Sequence, residues 1–215
     1  MQYSLRMITE PSVDKYIRNL IPERDAVLRE IEELAARDKI PIVGPVVGTL
    51  LSQLARSIRA TRVFELGSAI GYSTIWLARA VGPGGKVYYT DGDPDNARAA
   101  QNYFLRAGLA DRIELRVGDA LESFAAVPGE FDLIFNDVDK EGYPDVYRQA
   151  ASRVRPGGFF VSDNTLRRGN VADPTQTGGD LEPVRLFNDL LARDSRFETA
   201  LLPLRDGVTV AFRLH

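Results

Sequence analysis

Apolar residues recur at helical spacing through the first part of the chain: Val13, Tyr16, Ile17 and Leu20, then Ala26, Val27, Ile31 and Leu34. Positions three and four apart share one face of a helix, so each set predicts a helix that buries one side. Pro22 separates the two helices or opens the second. A third helix is predicted from Pro45 to Ile58, with Val46, Leu50, Leu51 and Leu54 on one face. The rhythm then changes. Short β-rich runs at Arg62–Leu66, Lys86–Thr90, Arg112–Val117, Phe131–Asn136 and Gly158–Ser162 alternate with helical stretches at Ile70–Ala80, Pro94–Ala107, Leu121–Val127 and Tyr143–Val154. Such alternation predicts a parallel sheet covered by helices on both faces. A last helix, Leu181–Arg193, precedes two strands, Glu198–Leu204 and Val208–Leu214, with Asp206-Gly207 between them as a hairpin signal.

The expected fold class is therefore α/β: a Rossmann-like, doubly wound, mostly parallel sheet of seven strands, with a C-terminal antiparallel hairpin and extra N-terminal helices. A length of 215 residues suits one domain, with helices over 1–60 and a ligand-binding core over 61–215. In such sheets ligands sit at the C-terminal ends of the strands.

The chemistry gathers at those ends. Val63-Phe-Glu-Leu-Gly-Ser-Ala-Ile-Gly71 reads as a strand, an acid and two glycines four apart, opening into a helix. Glycines let a backbone come close to a ligand, and a strand-to-helix turn aims free N–H groups outward. The pattern is not Gly-x-Gly-x-x-Gly, and no Lys-Ser/Thr pair follows a phosphate loop, so a dinucleotide or a nucleoside triphosphate is disfavoured. Asp91 ends the next strand 20 positions beyond Gly71, where a carboxylate can accept hydrogen bonds from ribose hydroxyls. Asp93, before Pro94, fits a helix N-cap better. Two further acidic clusters follow the later strands: Asp137-Val-Asp-Lys140 and Asp163-Asn164. Asp137, Asp163 and Asn164 together are a hard oxygen set suited to Mg²⁺, although Asp and Asn also cap helices and make turns.

Composition narrows the chemistry. There is no cysteine, which removes thiol nucleophiles, disulfides and Cys-ligated zinc. The single histidine is the final residue, His215, so Ser-His-Asp and Cys-His mechanisms are not expected. A net charge of −3 gives no bulk basic field for nucleic acid or an anionic membrane. The first residues form no basic-then-apolar leader and no apolar run could span a bilayer, so a cytoplasmic protein is expected.

Taken in order, Glu65-Leu-Gly-x-x-x-Gly-Tyr-Ser73, Asp137-x-Asp-Lys140 and Asp163-Asn-Thr-Leu166 resemble the cation-dependent class I S-adenosylmethionine O-methyltransferases of caffeoyl-CoA and catechol type. The resemblance covers nearly the whole chain. It implies that Glu65, Gly67, Ser68, Gly71 and Ser73, with Val43, hold the methionine part of the cofactor. Asp91 would hold the ribose, Asp119 and Ala120 the adenine, and Asp139 the cofactor's amino group. Asp137, Asp163 and Asn164 would ligate Mg²⁺ or a similar ion, with Lys140 as general base or charge stabiliser. A homodimer is also implied. The acceptor would be a small catechol-like or other vicinal dihydroxy compound. A hydroxylated uridine in tRNA is the second substrate class, and a cofactor-binding protein without turnover is the non-enzymatic alternative. Many relatives carry a tryptophan after Asp-Asn-x-Leu, where this chain has Arg167-Arg168. That pair is expected to meet an anionic group on the acceptor, or simply to be solvated. Tyr143 and Asn188 are further candidate acceptor contacts, with core or surface packing as the favoured reading of the tyrosine.

Overall fold

In a computed structural model that describes residues 8–215, five parallel strands build the centre of the sheet. They are β1 (Arg62–Leu66), β2 (Lys86–Asp91), β3 (Ile113–Val117), β4 (Phe131–Asn136) and β5 (Val154–Ser162). A hairpin of β6 (Phe197–Leu202) and β7 (Val208–Arg213) completes seven strands in the order β3-β2-β1-β4-β5-β7-β6. Strand β7 runs antiparallel to β5, so the second hairpin strand joins the sheet and β6 becomes its edge. The expected α/β architecture is present, and the chain order reverses between β1 and β4 as in doubly wound sheets.

Alternation along each strand sorts side chains to the two faces. Val63, Leu133, Phe135 and Val161 pack toward α2 (Ala26–Asp38), α3 (Gly44–Ser57), α4 (Tyr72–Ala80) and α5 (Pro94–Arg106). Phe64, Leu66, Ile134 and Phe160 pack toward α6 (Ala120–Ala125), α7 (Tyr143–Ala150) and α8 (Leu181–Ala192). Both faces are covered, which is why these strands read as apolar runs rather than as alternating ones. Glu65 shares the parity of Val63, so the sheet carries this acid into the buried layer under α4. Among the described residues no helix is long and apolar enough to cross a membrane.

Three boundaries and the packing of one helix depart from expectation. Helix α4 begins at Tyr72, not Ile70, because Gly71 sits at φ +82° and serves as its N-cap. Strand β5 begins at Val154, inside the stretch read as helix, and takes a register shift against β4 between Phe131 and Leu133. Pro156 cannot continue a helix, and a Cβ at Gly158 would lie 2.6 Å from the Asp132 carbonyl oxygen. Strand β6 stops at Leu202 because Pro203 has no N–H for the ladder. The largest departure is the first helix, α1 (Pro11–Leu20). Its apolar positions do not bury a face: Val13, Tyr16 and Leu20 are 46%, 65% and 64% exposed. Helix α2, capped by Asp25, buries a face as expected but a rotated one, Leu28, Ile31 and Ala35; of the predicted positions only Ile31 is buried, Val27 and Leu34 are half-buried and Ala26 is exposed.

Candidate active site

Strand register brings the acidic ends together. Leu66 pairs with Asn136, and Asn136 with Ser162, so the next residues of the three strands, Gly67, Asp137 and Asp163, emerge side by side. Gly67 adopts φ +80°, and a Cβ there would lie 2.6 Å from the Asp137 carbonyl oxygen. A Cβ on Gly71 would lie 2.5 Å from the Phe104 ring. Both glycines are thus required by the close packing of protein on protein, and Gly67 also lines the cavity described below.

A residue without any sequence signal organises the turn. Thr90, buried near the end of β2, donates from Oγ1 to the Glu65 carbonyl (2.8 Å) and accepts there from the Gly67 N–H (3.3 Å). Its carbonyl accepts from the Ser68 N–H (2.8 Å), and its own N–H donates to Ser68 Oγ (3.2 Å). Next along, Ala69 at φ +44° donates its N–H to Asp91 Oδ2 (2.8 Å). Only the folded pairing of β1 with β2 makes a threonine at position 90 informative.

The turn borders a cavity of about 620 Å³ at the C-terminal ends of the strands. Of the residues singled out in the sequence, Gly67, Asp91, Asp119, Ala120, Asp137, Asp139, Lys140 and Asn164 line it. Asp91 also receives the Asp93 N–H (2.9 Å) and Asn96 Nδ2 (3.1 Å), while Asp93 caps α5 as expected. Asp119 caps α6 through the Glu122 N–H (2.8 Å). Val43, Glu65, Ser68, Gly71, Ser73 and Asp163 do not line the cavity; all six are buried in the surrounding protein. Glu65 has no exposed surface; it accepts from the Thr74 hydroxyl through Oε2, and Oε1 is buried without a partner. Burial pushes the Glu65 carboxyl up to about 7, against the pull of the Ser73, Thr74 and Ser68 hydroxyls.

The second acidic cluster holds two carboxylates and two cations. Lys140 Nζ donates to Asp137 Oδ1 (2.7 Å) and to the Val138 carbonyl (3.0 Å). Burial raises the Asp137 carboxyl and Lys140 opposes the rise. Asp163 is 1% exposed and is pushed up to about 7 by burial and then by the charge of Asp137. Its Oδ1 is buried and unpartnered, an arrangement that is costly unless a cation or donor completes it. Asn164, at φ +55°, a region Asn tolerates, adds an amide to the same wall. Among the described residues no three His, Cys, Asp or Glu side chains gather around one point; the oxygen donors at these strand ends are the Asp137 and Asp163 carboxylates and the Asn164 amide. That set and the orphaned oxygen fit a hard divalent cation that retains water. The second cation, Arg205, had not been singled out in the sequence; its Nη1 lies 3.6 Å from Asp163 Oδ2.

The expected acceptor contacts fare differently. Tyr143 has no exposed surface, and its hydroxyl donates to the Asp163 carbonyl (2.7 Å); it supports the acidic loop and cannot touch an acceptor. Arg167 is ion-paired with Asp180 and Asp206, so it ties the loop after β5 to α8 and to the β6–β7 turn and presents no free guanidinium. Of that pair only Arg168 is exposed at its side chain, while its N–H donates to Asp206. Asn188 donates to the Thr165 carbonyl (2.8 Å) from α8. A second cavity, about 670 Å³, lies beneath α1 and α2; Arg24, Glu32, Ile42 and Arg205 line it, and it shares Pro41 with the first.

Comparison with known proteins agrees with this geometry. A family model described as O-methyltransferase matches residues 20–214. A catechol O-methyltransferase from Niastella koreensis is 36% identical over 211 residues, covering 93% of this chain and 96% of the relative. A catechol O-methyltransferase from Mycobacterium tuberculosis is 38% identical over 166 residues, 75% of this chain and 74% of that one. Among solved structures, the O-methyltransferase TomG from Streptomyces achromogenes, in complex with S-adenosylmethionine, superposes with a TM-score of 0.87 at 30% identity over 100% of both chains. The O-methyltransferase from Bacillus cereus, in complex with S-adenosylhomocysteine, gives 0.85 at 32% identity over 94% of this chain and 97% of that one. With its turn, its acidic strand ends and these relatives taken together, the chain belongs to the O-methyltransferase family of catechol and caffeoyl-CoA type and is an S-adenosylmethionine-dependent O-methyltransferase.

Proposed function

We propose that this enzyme methylates one hydroxyl of a small catechol-like or other vicinal dihydroxy acceptor, with Asp137, Asp163 and Asn164 holding a divalent cation, by preference Mg²⁺. The observation that carries the reading is the unpartnered Asp163 Oδ1, buried next in sequence to Asn164, which lines the cavity together with Asp137, Asp91 and Lys140. When bound, the cofactor supplies an electrophilic methyl group and the divalent ion lowers the pKa of two neighbouring hydroxyls and fixes their direction.

The chain's own residues do the remaining work. Asp91 offers a carboxylate to the ribose, Asp119 and Ala120 border the adenine end, and Glu65 and Asp139 supply negative charge for the cationic methionine end. Ser68, Gly71, Ser73 and Val43 shape the turn and loop behind that end. Lys140 Nζ, 2.7 Å from Asp137, stands where it can take the acceptor's hydroxyl proton or hold the resulting oxyanion. The catechol names of the relatives support the acceptor class. The test is transfer of labelled methyl to a panel of vicinal diols with Mg²⁺ and with EDTA. Turnover is expected with Mg²⁺ and to be lost with EDTA; undiminished turnover in EDTA would overturn the metal's part in the reading.

A homodimer follows from the same reading, supported by the apolar row Val13, Tyr16 and Leu20 that α1 leaves uncovered. Light scattering is expected to give twice the mass of the chain, and Tyr16→Glu to lower it. A wild-type mass of one chain would remove the dimer.

A further inference from the structure

We propose that Arg205 is a resident countercation of the acidic cluster, one that balances Asp163 when no metal is bound and weakens the site's hold on a divalent ion. The inference rests on the metal reading given above and concerns how that site is tuned.

The position is built from the loop outward. Arg205 lies between β6 and β7 at φ +50°. Its loop is held against the segment after β5 by backbone bonds from the Thr165 N–H to the Gly207 carbonyl (3.0 Å) and from the Leu166 N–H to the Asp206 carbonyl (2.8 Å). Gly207 permits that contact, since a Cβ there would lie 2.5 Å from the Leu166 nitrogen. From this support Arg205 donates to the Val43 carbonyl at the start of α3, and Nη1 faces Asp163 Oδ2 at 3.6 Å. The Arg205 side chain is 31% exposed and that of Asp163 is 2% exposed.

Charge and geometry then give opposite signals about a metal. Asp137 faces Lys140 and Asp163 faces Arg205, so each of these carboxyl groups has a cation beside it with no ion present. A divalent ion added to this set meets a guanidinium that is already close and only partly screened by water. Yet 3.6 Å is too long for a hydrogen bond, and the bond Arg205 makes is to Val43. Asp163 Oδ1 stays without a partner. Arg205 therefore neutralises the carboxylate from a distance and leaves a donor atom open. An arrangement of this kind lowers metal affinity without closing the site. It also links Asp163 to the wall of the second cavity, because the side chain that faces Asp163 lines that cavity.

The test is calorimetric titration of MgCl₂ into the full-length apo-protein, with Mn²⁺ bound fraction by electron paramagnetic resonance as a second readout. Arg205→Gln removes the charge and keeps a donor for Val43. It is expected to bind Mg²⁺ roughly tenfold more tightly than wild type, the scale on which groups around a metal's ligands move its affinity. Arg205→Lys keeps the charge and is expected to stay near wild type. Should the Gln variant not fold, Arg205→Met, which keeps the aliphatic stem, carries the same expectation. Equal or weaker Mg²⁺ binding in the neutral variant, with wild-type binding that Asp163→Asn abolishes, would overturn the proposal and leave the metal reading standing. No Mg²⁺ binding by any of these proteins would overturn both.

Discussion

Lys140→Met is expected to lower kcat about 10²- to 10⁴-fold, the usual cost of losing a positioned acid–base group. Cofactor affinity should stay within about threefold, because Lys140 contacts Asp137 and Val138 and none of the residues assigned to the ribose or adenine. The split between kcat and cofactor binding separates a catalytic lysine from one that only pairs Asp137. A purely pairing lysine would be replaced by arginine with little loss, since a guanidinium can satisfy the same carboxylate. A catalytic amine would not, because arginine does not give up its proton near neutral pH. Single-turnover methyl transfer, with cofactor binding by calorimetry on the same samples, decides between them. A kcat loss under tenfold would remove Lys140 from the chemistry, and full rescue by Lys140→Arg would exclude proton transfer and leave it only the holding of the oxyanion.

Glu65→Gln is expected to move stability and cofactor binding in opposite directions. The folded chain keeps a proton on Glu65 between its ordinary value of 4.5 and about 7, where the unfolded chain has already released it. The folded state therefore binds more protons in that window, and stability from this group is full at low pH and falls as pH rises through about 7. At pH 8 the shift corresponds to about 3 kcal/mol of destabilisation that a neutral glutamine does not carry, at 1.36 kcal/mol for each unit. Glutamine can also keep the bond from Thr74. The variant's Tm should exceed that of wild type at pH 8, and the difference should vanish near pH 4. Cofactor affinity should fall roughly 10- to 100-fold, because a charge-assisted partner of the cationic methionine end is lost. Equal Tm values at pH 8, or unchanged cofactor affinity, would show that Glu65 is buried for packing and not for the ligand.

These two residues mark where sequence reading was strong. Lys140 and Glu65 stand in short motifs whose local order alone puts an amine and an acid at strand ends. Asp91, Asp137 and Asp163 were legible for the same reason: each directly ends or follows an apolar run, and in parallel sheets such positions share one edge. The hairpin at Asp206-Gly207 was legible as local turn chemistry. The site features that the sequence left open depended on distant neighbours. Tyr143 could be read as an acceptor contact or as packing, and the fold buries it with its hydroxyl on the Asp163 carbonyl. Arg167 resembled a free anion receptor until Asp180 and Asp206 arrived from segments 13 and 39 residues away.

The sequence by itself determined the α/β class, the glycine turn after β1 and the acids at the strand ends, because periodicity and strand-end chemistry are local and survive without knowledge of the partners. Only the tertiary structure decided why the glycines are there, that α1 leaves Val13, Tyr16 and Leu20 uncovered, that Thr90 ties the turn, and that Arg205 reaches Asp163 from the far end of the chain. Those properties come from contacts between segments up to 162 residues apart, as from Arg205 to Val43, and such contacts have no period to read.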